Sequence, residues 1–265
     1  MRPDFFDVHT HAQFAAYNKD REEVLARARE AHVWVVNVGT ERGTSEAAIA
    51  LAKKEKEGVF ATAGLHPTSA VATEKFDYEF YKKLGKDKAV VAIGECGLDY
   101  YRLGDESKAE QKQVFLEHIR LAAELEKPLM IHCREAVPAG RQAFADLIDI
   151  LRAHYREVPQ GIVHFMSGTK ADAEALLDMG LSFSFGGVVT FTSDYDEVVR
   201  YVPKTNLLLE TDAPYVAPVP YRGKRNEPAY VIQTAKRIAE LQNTSISVLG
   251  EQTTSNALAI FGLRK

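Results

Sequence analysis

The sequence predicts a single α/β domain folded as a (β/α)8 barrel, and three observations lead to this prediction. Eight short apolar runs recur along the chain, amphipathic helical segments lie between them, and the length of 265 residues suits one barrel of about 250 residues. No linker rich in Gly, Ser or Pro divides the chain, so we expect one domain over residues 1–265. A doubly wound open sheet is the alternative arrangement of the same elements.

Each predicted strand is a short run of apolar and β-branched residues. In chain order the runs are FFDVHTH, VWVVNVGT, VFATAGLHP, AVVAIGECGLDYY, PLMIHCREA, GIVHFMSG, LSFSFGG and NLLLETDAPY. The intervening segments place apolar residues three and four positions apart, as in EEVLARAREA, SEAAIALAKKEKEG, EQKQVFLEHIRLAAELEK and GRQAFADLIDILRAHY. After the eighth strand, NEPAYVIQTAKRIAEL and SISVLGEQTTSNALAIFG predict two closing helices.

Composition excludes several classes of protein. Hydrophobic residues make up 46% and charged residues 26% of the chain, which is typical of a globular protein with a sizeable core. The net charge of -4 lacks the basic footprint of a protein that coats nucleic acid, so any nucleic-acid contact must be local. There is no signal-peptide pattern and no run of about 18 apolar residues, and two cysteines make no disulfide framework. We therefore expect a cytoplasmic protein without a membrane segment or an obligate protein partner.

Polar residues interrupt the predicted strands at their carboxyl ends. Buried barrel strands tolerate polar side chains only where something satisfies them, and this rim is where barrel enzymes place their active sites. In the first strand His9 and His11 are two residues apart, so strand alternation turns both imidazoles to the same side. Residues from five strands are predicted to converge at this rim: His9, His11, Glu95, His132, His164 and Asp212.

Imidazole and carboxylate side chains together are typical ligands of divalent metal ions. A single His at a strand end is more often a hydrogen-bonded structural residue, and a single Asp often caps the next helix. Six such groups at this rim, which forms the mouth of the barrel, would repel and desolvate one another without a cation. Their number therefore favours a metal site. Six ligands exceed the three or so of a single catalytic zinc, so we expect two ions about 3.5–4 Å apart that share Glu95. The ligand types leave zinc, magnesium, manganese and nickel as alternatives.

The same residues stand in motifs that resemble the TatD-type nuclease family of metal-dependent barrels over nearly the whole chain. The matching stretches are FDVHTHA at 6–12, GLHP at 64–67, AIGECGLDYY at 92–101, PLMIHCREA at 128–136, HFMSGT at 164–169, LLLETDAPY at 207–215 and RGKRNEP at 222–228. The resemblance implies a division of the six ligands between two ions, with His9, His11 and Asp212 on one, His132 and His164 on the other, and Glu95 on both.

The chain departs from the family pattern at two places. Ala12 and Gln13 follow the HTH motif where a Leu-Asp pair is typical, and Thr68 stands where a second histidine usually follows GLHP. Neither of these extra polar groups is therefore expected in this protein.

The predicted chemistry is hydrolysis by a hydroxide that bridges the two ions. Asp212 is the predicted base, because a carboxylate beside the bridging water can take its proton, while Glu95 holds both ions. His66 ends the third strand at the same mouth, where it would hydrogen-bond the scissile phosphate or the leaving oxygen, or serve a structural role.

Substrate contacts are predicted among residues just past the ligands. Asp99 follows Glu95 in GLDYY, and Arg222 opens the basic stretch RGKR after the eighth strand, so both are candidates to grip phosphates. Aromatic residues near the same strand ends are candidates to stack on bases, namely Tyr100, Tyr101, Phe191 and Tyr215.

Other polar residues are assigned supporting roles. Asp7 and Glu210 share strand faces with ligands by alternation and are expected to orient an imidazole. Cys96 and Cys133 each follow a ligand by one residue, so they are expected to turn outward under the helices as core residues. Helix capping or surface exposure better explains the histidines left out of the site, which are His32, His118 and His154.

Three functions are compatible with these residues. The leading hypothesis is a phosphodiesterase that degrades single-stranded DNA in the 3′–5′ direction, because a narrow barrel mouth suits a strand end better than an intact duplex. The first alternative is an amide or ester hydrolase, such as a D-aminoacyl-tRNA deacylase, because the same hydroxide attacks a carbonyl carbon. A non-catalytic metal-binding scaffold is the third. A nuclease should show a basic, aromatic-lined mouth, whereas a small-molecule amidase should show a closed apolar pocket.

Overall fold

The structure, a computed structural model, describes residues 2–55, 57–136, 142–154, 156–157 and 160–263. Eight parallel strands pair in chain order, and the eighth pairs with the first, so the sheet closes into a barrel. The predicted (β/α)8 fold is therefore confirmed. The strands are β1 (Phe5–Thr10), β2 (Val33–Asn37), β3 (Val59–Ala63), β4 (Val90–Asp99), β5 (Leu129–Arg134), β6 (Gly161–Val163), β7 (Ser182–Phe185) and β8 (Leu207–Leu209).

The helices of the described residues surround the barrel, and they are α1 (Arg21–Glu30), α2 (Arg42–Lys54), α3 (Pro67–Ala72), α4 (Tyr78–Gly85), α5 (Lys108–Leu125), α6 (Gln142–His154), α7 (Lys170–Leu177), α8 (Asp196–Tyr201), α9 (Val231–Leu241) and α10 (Ile246–Ile260). The two predicted closing helices are α9 and α10. The third crossover is also doubled, by α3 and α4, which the sequence analysis did not predict. Gly140, Arg141 and Tyr155, at the ends of the predicted segment GRQAFADLIDILRAHY, lie outside the described residues. Within the described ranges, no helix combines the length and the apolar character needed to cross a membrane.

Alternate residues of the strands feed two layers of apolar core. One layer fills the barrel and includes Val36, Met130 and Leu208, and it is extended by Phe261, whose ring centroid lies 5.8 Å from that of Phe6. The other layer packs the outside of the strands under the helices. Each fully buried large side chain contributes about 1.5–3 kcal/mol. The apolar interior leaves the carboxyl-end mouth as the place where polar side chains converge.

The barrel closes where β1 meets β8. Asp7 pairs with Leu209, and its carboxylate accepts hydrogen bonds from the backbone N–H of Thr211 at 2.9 Å and from the Thr211 hydroxyl at 2.5 Å. The backbone N–H of Asp212 donates to the carbonyl of His9 at 2.9 Å. Asp7 therefore joins the first strand to the segment after the last one, and it does not orient an imidazole as expected from alternation.

Bulges in β1 and β4 redirect the strands as they enter the mouth. Asp7 pairs with Val35 but Thr10 pairs with Asn37, so β1 contains one extra residue over this stretch. In β4 the register against β5 shifts in the same way between Ile93 and Cys96. A bulge changes which residues face inward and is common beside active sites. The two bulges lie at the residues that carry His9 and Glu95 into the mouth.

His118 is fully buried in α5, so the surface or capping role expected from the sequence is wrong. Its Nδ1–H donates to the carbonyl of Val114 at 2.8 Å, and its Nε2 accepts the backbone N–H of Leu65 at 3.0 Å. The neutral imidazole thus joins α5 to the loop that leads from β3 into α3. The helical period alone could not reveal this long-range contact.

We expect His118 to make the fold acid-sensitive. Burial lowers the pKa of His118 to about 4, against an ordinary value of 6.5. The unfolded chain therefore binds more protons below about pH 6.5, and stability is lost as the pH falls from there to about 4, by about 3 kcal/mol in all. Urea unfolding of the His118→Gln variant should give a lower stability at pH 7.5 and a shallower decline with pH than the wild type.

The control variant is His154→Gln, which removes an imidazole that is partly exposed. Both variants are to be compared with the wild type at the same metal content. An equal pH slope for His118→Gln and the wild type would refute the assignment.

Candidate metal centre

The six predicted ligands meet at the carboxyl end of the barrel. All are buried except Asp212, whose side chain is 19% exposed. Asp212 has φ of 50°, a left-handed conformation that is uncommon for a residue with a side chain and that recurs at functional sites. The positions relative to the strands are His9 in β1, His11 just after it, Glu95 in β4, His132 in β5, His164 just after β6 and Asp212 in the segment after β8.

The first ligand group consists of His9, His11 and Asp212. The two Nε2 atoms of the histidines lie 3.2 Å apart, and Asp212 Oδ1 lies 3.3 Å from His11 Nε2 and 3.8 Å from His9 Nε2. Two imidazoles and one carboxylate thus direct a ligand atom to one point. Three protein ligands with room for further ones is the usual arrangement at a catalytic metal.

The second ligand group consists of His132 and His164, with Glu95 between the two groups. Glu95 Oε1 lies 3.0 Å from His132 Nδ1 and 2.9 Å from His164 Nε2. The other carboxylate oxygen, Oε2, lies 3.5 Å from His9 Nε2 of the first group. Each oxygen of Glu95 therefore faces a different ligand group.

Two of the ring nitrogens that point away from the shared carboxylate are hydrogen-bonded. His11 Nδ1–H donates to the carbonyl of Val38 at 2.8 Å, and His132 Nε2–H donates to Asp99 Oδ2 at 3.0 Å. His164 Nδ1 lies 3.6 Å from Glu210 Oε1, which is an ion-pair distance but too long for a hydrogen bond, so Glu210 faces this imidazole as expected. Such partners fix the tautomer and leave the opposite nitrogen free to bind a metal. By this criterion the residues present fit divalent cations.

Burial and mutual charge set the electrostatics of the centre. Burial raises the pKa of the Glu95 carboxyl, but the imidazoles of His66, His164 and His9 outweigh it and hold this pKa well below its ordinary value. Burial lowers the pKa of His164, yet the carboxylates of Glu95 and Glu210 hold it well above its ordinary value. The carboxylates thus hold positive charge in the mouth, and a bound cation would take the place of those protons.

His66 lies at the N-terminus of α3, beside the second ligand group. Its Nδ1 accepts the backbone N–H of Thr68 at 3.2 Å and lies 2.7 Å from the Thr68 hydroxyl. The proton of the neutral ring is therefore on Nε2, which lies 3.5 Å from Glu95 Oε1. Thr68, one of the departures from the family pattern, thereby makes His66 a hydrogen-bond donor toward the mouth.

Asp99 and Tyr100, which were predicted to contact the substrate, are both buried and bonded to other side chains. Asp99 is fully buried, and its carboxylate accepts hydrogen bonds from His132 and, at 2.7 Å, from Nη1 of Arg102. Tyr100 is also buried, and its hydroxyl donates to Asp146 of α6 at 2.7 Å. The β4 bulge and the turn after the strand decide these directions, which strand parity alone did not predict. Arg102 was not among the predicted site residues, although it directly follows the motif AIGECGLDYY.

The loop after β8 brings Arg222 to the rim, where its guanidinium carbon lies 3.6 Å from the centroid of the Phe191 ring. Arg225, from the same basic stretch, is instead paired with Asp20. Asn226, which the sequence analysis missed, holds this loop in place. Its side-chain amide donates to the carbonyls of Thr211 at 2.8 Å and Tyr215 at 2.7 Å, on either side of Asp212. Its position in the motif RGKRNEP is the sequence feature from which Asn226 could have been predicted.

Cys96 and Cys133 are buried in the core layer beneath the helices, as alternation predicted. Neither stands among the possible ligand groups of the described residues.

Comparison with known proteins connects this centre to known sequences and folds. A family profile described as TatD related DNase matches residues 6–262. The chain is 38% identical over 260 residues to the metal-dependent hydrolase YabD of Bacillus subtilis, itself described as uncharacterized, covering 97% of this chain and 98% of that protein. It is 34% identical to the 3′-5′ ssDNA/RNA exonuclease TatD of Pantoea ananatis, covering 97% and 99% of the two chains. The crystal structure of YJJV, a TatD homolog from Escherichia coli K12, superposes over 100% of both chains with a TM-score of 0.88 and 27% identity.

Proposed function

This chain belongs to the TatD related DNase family and is a metal-dependent hydrolase, and we propose that it cleaves phosphodiester bonds as a 3′–5′ exonuclease on single-stranded DNA. The observation that carries the proposal is the position of Glu95, which directs one oxygen to each of two ligand groups. A carboxylate shared in this way suits a pair of divalent ions, the arrangement used by many nucleases and phosphatases. The exonuclease name of the Pantoea ananatis relative supports nucleic acid as the substrate.

Two divalent cations would be held by the two ligand groups, with Glu95 common to both. When bound, such cations lower the pKa of a water molecule and neutralise the charge of a phosphate group. Asp212 then accepts the proton of the attacking water, since its side chain, at 19%, is the most exposed of the six ligands. His66 donates its Nε2–H to a phosphate oxygen or to the leaving oxygen, because Thr68 occupies its other nitrogen.

The direct test uses metal-stripped protein and a single-stranded oligonucleotide labelled at its 3′ or its 5′ end. We expect magnesium, manganese, zinc or nickel to restore hydrolysis, with the 3′ label released first as a mononucleotide and the 5′ label passing through a ladder of shorter products. An aminoacyl ester on tRNA is the competing substrate in the same assay. Protein that binds two ions, leaves DNA intact and hydrolyses the ester would overturn the proposal.

A further inference from the structure

We propose that the mouth grips single-stranded nucleic acid between two arginine–aromatic pairs, Arg134 with Tyr101 and Arg222 with Phe191, which stack bases on either side of the scissile phosphate. This inference rests on the proposed nuclease function and adds the residues that hold the strand. It differs from the metal chemistry because neither pair contains a ligand.

The first observation is where large apolar side chains are exposed. Among the described residues the exposed aromatic side chains are Tyr101 at 50%, Phe191 at 36% and Tyr215 at 53%. All three follow the carboxyl ends of strands, after β4, β7 and β8. Exposed apolar groups gathered at one site mark a binding surface rather than core packing.

The second observation is that the guanidinium groups of two arginines lie over two of these rings. The guanidinium carbon of Arg134 lies 4.2 Å from the centroid of Tyr101, and that of Arg222 lies 3.6 Å from the centroid of Phe191. Both arginines are exposed, and within the described ranges neither is paired with a carboxylate. A stacked guanidinium keeps its N–H edge free for phosphate oxygens, and the plane presents a surface on which a base can stack.

The third observation is the position of each pair relative to the ligand groups. Arg134 ends β5, two residues after His132, so its pair stands beside the second ligand group. Arg222 and Phe191 lie in the segments after β8 and β7, on the side of Asp212. The strand order separates β5 from β8 around the barrel, so the pairs flank the mouth.

Tyr215 extends the second of these flanks toward the metal centre. Its ring is exposed, and its centroid lies 6.5 Å from that of His11 in the first ligand group. A strand stacked on the Arg222–Phe191 side would therefore pass the ligands before it reaches Arg134 and Tyr101. This path suits a single strand with separated bases and does not suit a rigid duplex.

The test removes each ring while keeping an apolar side chain, as Tyr101→Leu and Phe191→Leu. Because each variant loses the stacking of one base on an aromatic ring, we expect KM for a single-stranded oligonucleotide to rise about 5- to 100-fold. We expect kcat to change much less. Tyr201→Leu is the matched control, because it removes a ring stacked under Lys170 at the end of α8, outside the mouth. Far-ultraviolet circular dichroism and melting temperature verify that each variant is folded.

An oligonucleotide with abasic positions at its 3′ end separates stacking from other effects. On this substrate the wild type should lose the stacking advantage, and the Leu variants should lose little more. Arg134→Met and Arg222→Met should each reduce the slope of log KM against log salt concentration by about 0.7, the value for one phosphate contact on a single strand. Variants with unchanged KM, in an enzyme that degrades single-stranded DNA, would overturn this inference alone. A wild type that binds its ions but leaves single-stranded DNA intact would overturn the proposed function and this inference together.

Discussion

The Asp212→Asn variant is expected to lose about 100- to 10,000-fold in kcat on single-stranded DNA, the range typical for removal of a general base. The amide keeps the shape of the side chain but cannot accept a proton from water. Burial raises the pKa of Asp212, but the hydrogen bond with His11 and the neighbouring imidazoles lower it below its ordinary value, so the wild-type carboxylate is ready to accept. The measurement is a single-turnover rate at saturating metal, with bound metal counted in the same sample.

Asp194→Asn is the matched control, because this exposed aspartate lies in the segment after β7 and belongs to none of the ligand groups found in the described residues. It should keep the wild-type rate. Full turnover by Asp212→Asn with both ions bound would assign the proton transfer to another group.

The Glu95→Gln variant should lose activity and metal together. The shared carboxylate contacts both ligand groups, so its removal should weaken the binding of both ions. Loss of a residue that only orients a ligand lowers metal affinity about 10- to 100-fold, and we expect a larger loss here. Metal analysis after dialysis should fall from two ions per chain toward none. The rate on single-stranded DNA should fall in parallel and should recover only at high metal concentration.

Asp99→Asn provides the comparison, because Asp99 contacts His132 and not the shared carboxylate. We expect this variant to lose about 10- to 100-fold in affinity for one ion only. If Glu95→Gln kept two tightly bound ions, the division of ligands around Glu95 would be wrong.

The fold and the convergence of the six candidate ligands could be predicted because both depend on local patterns. Each strand is a short apolar run, and each ligand is a polar residue where such a run ends, as with His132 after Met130 and Ile131. In a closed parallel barrel these ends share one rim, so that a list of strand ends becomes a cluster in space. This prediction therefore required no knowledge of contacts between residues distant in sequence.

Other features depend on register and on contacts distant in sequence. The bulge in β1 separates Asp7 from the face that His9 uses, and a strict period of two does not anticipate an inserted residue. Tyr100 and Asp99 are neighbours in sequence, yet one packs against α6 and the other orients His132. His118 shows the same limit, since its partner Leu65 comes from a different crossover.

The seam between β1 and β8 gives the candidate metal centre a role in assembling the molecule. His9 and His11 leave the ribosome early and Asp212 late, so the first ligand group exists only after the two ends of the chain have met. Closing so long a loop costs conformational entropy before its contacts repay it. A cation bound by ligands from both β1 and the segment after β8 would stabilise the closed barrel. If the cation binds only the closed form, the added stability grows with the logarithm of the cation concentration. Chain synthesised without metal should therefore open first at this seam, and hydrogen exchange of the amide of Asp212, which donates to His9, would report that opening.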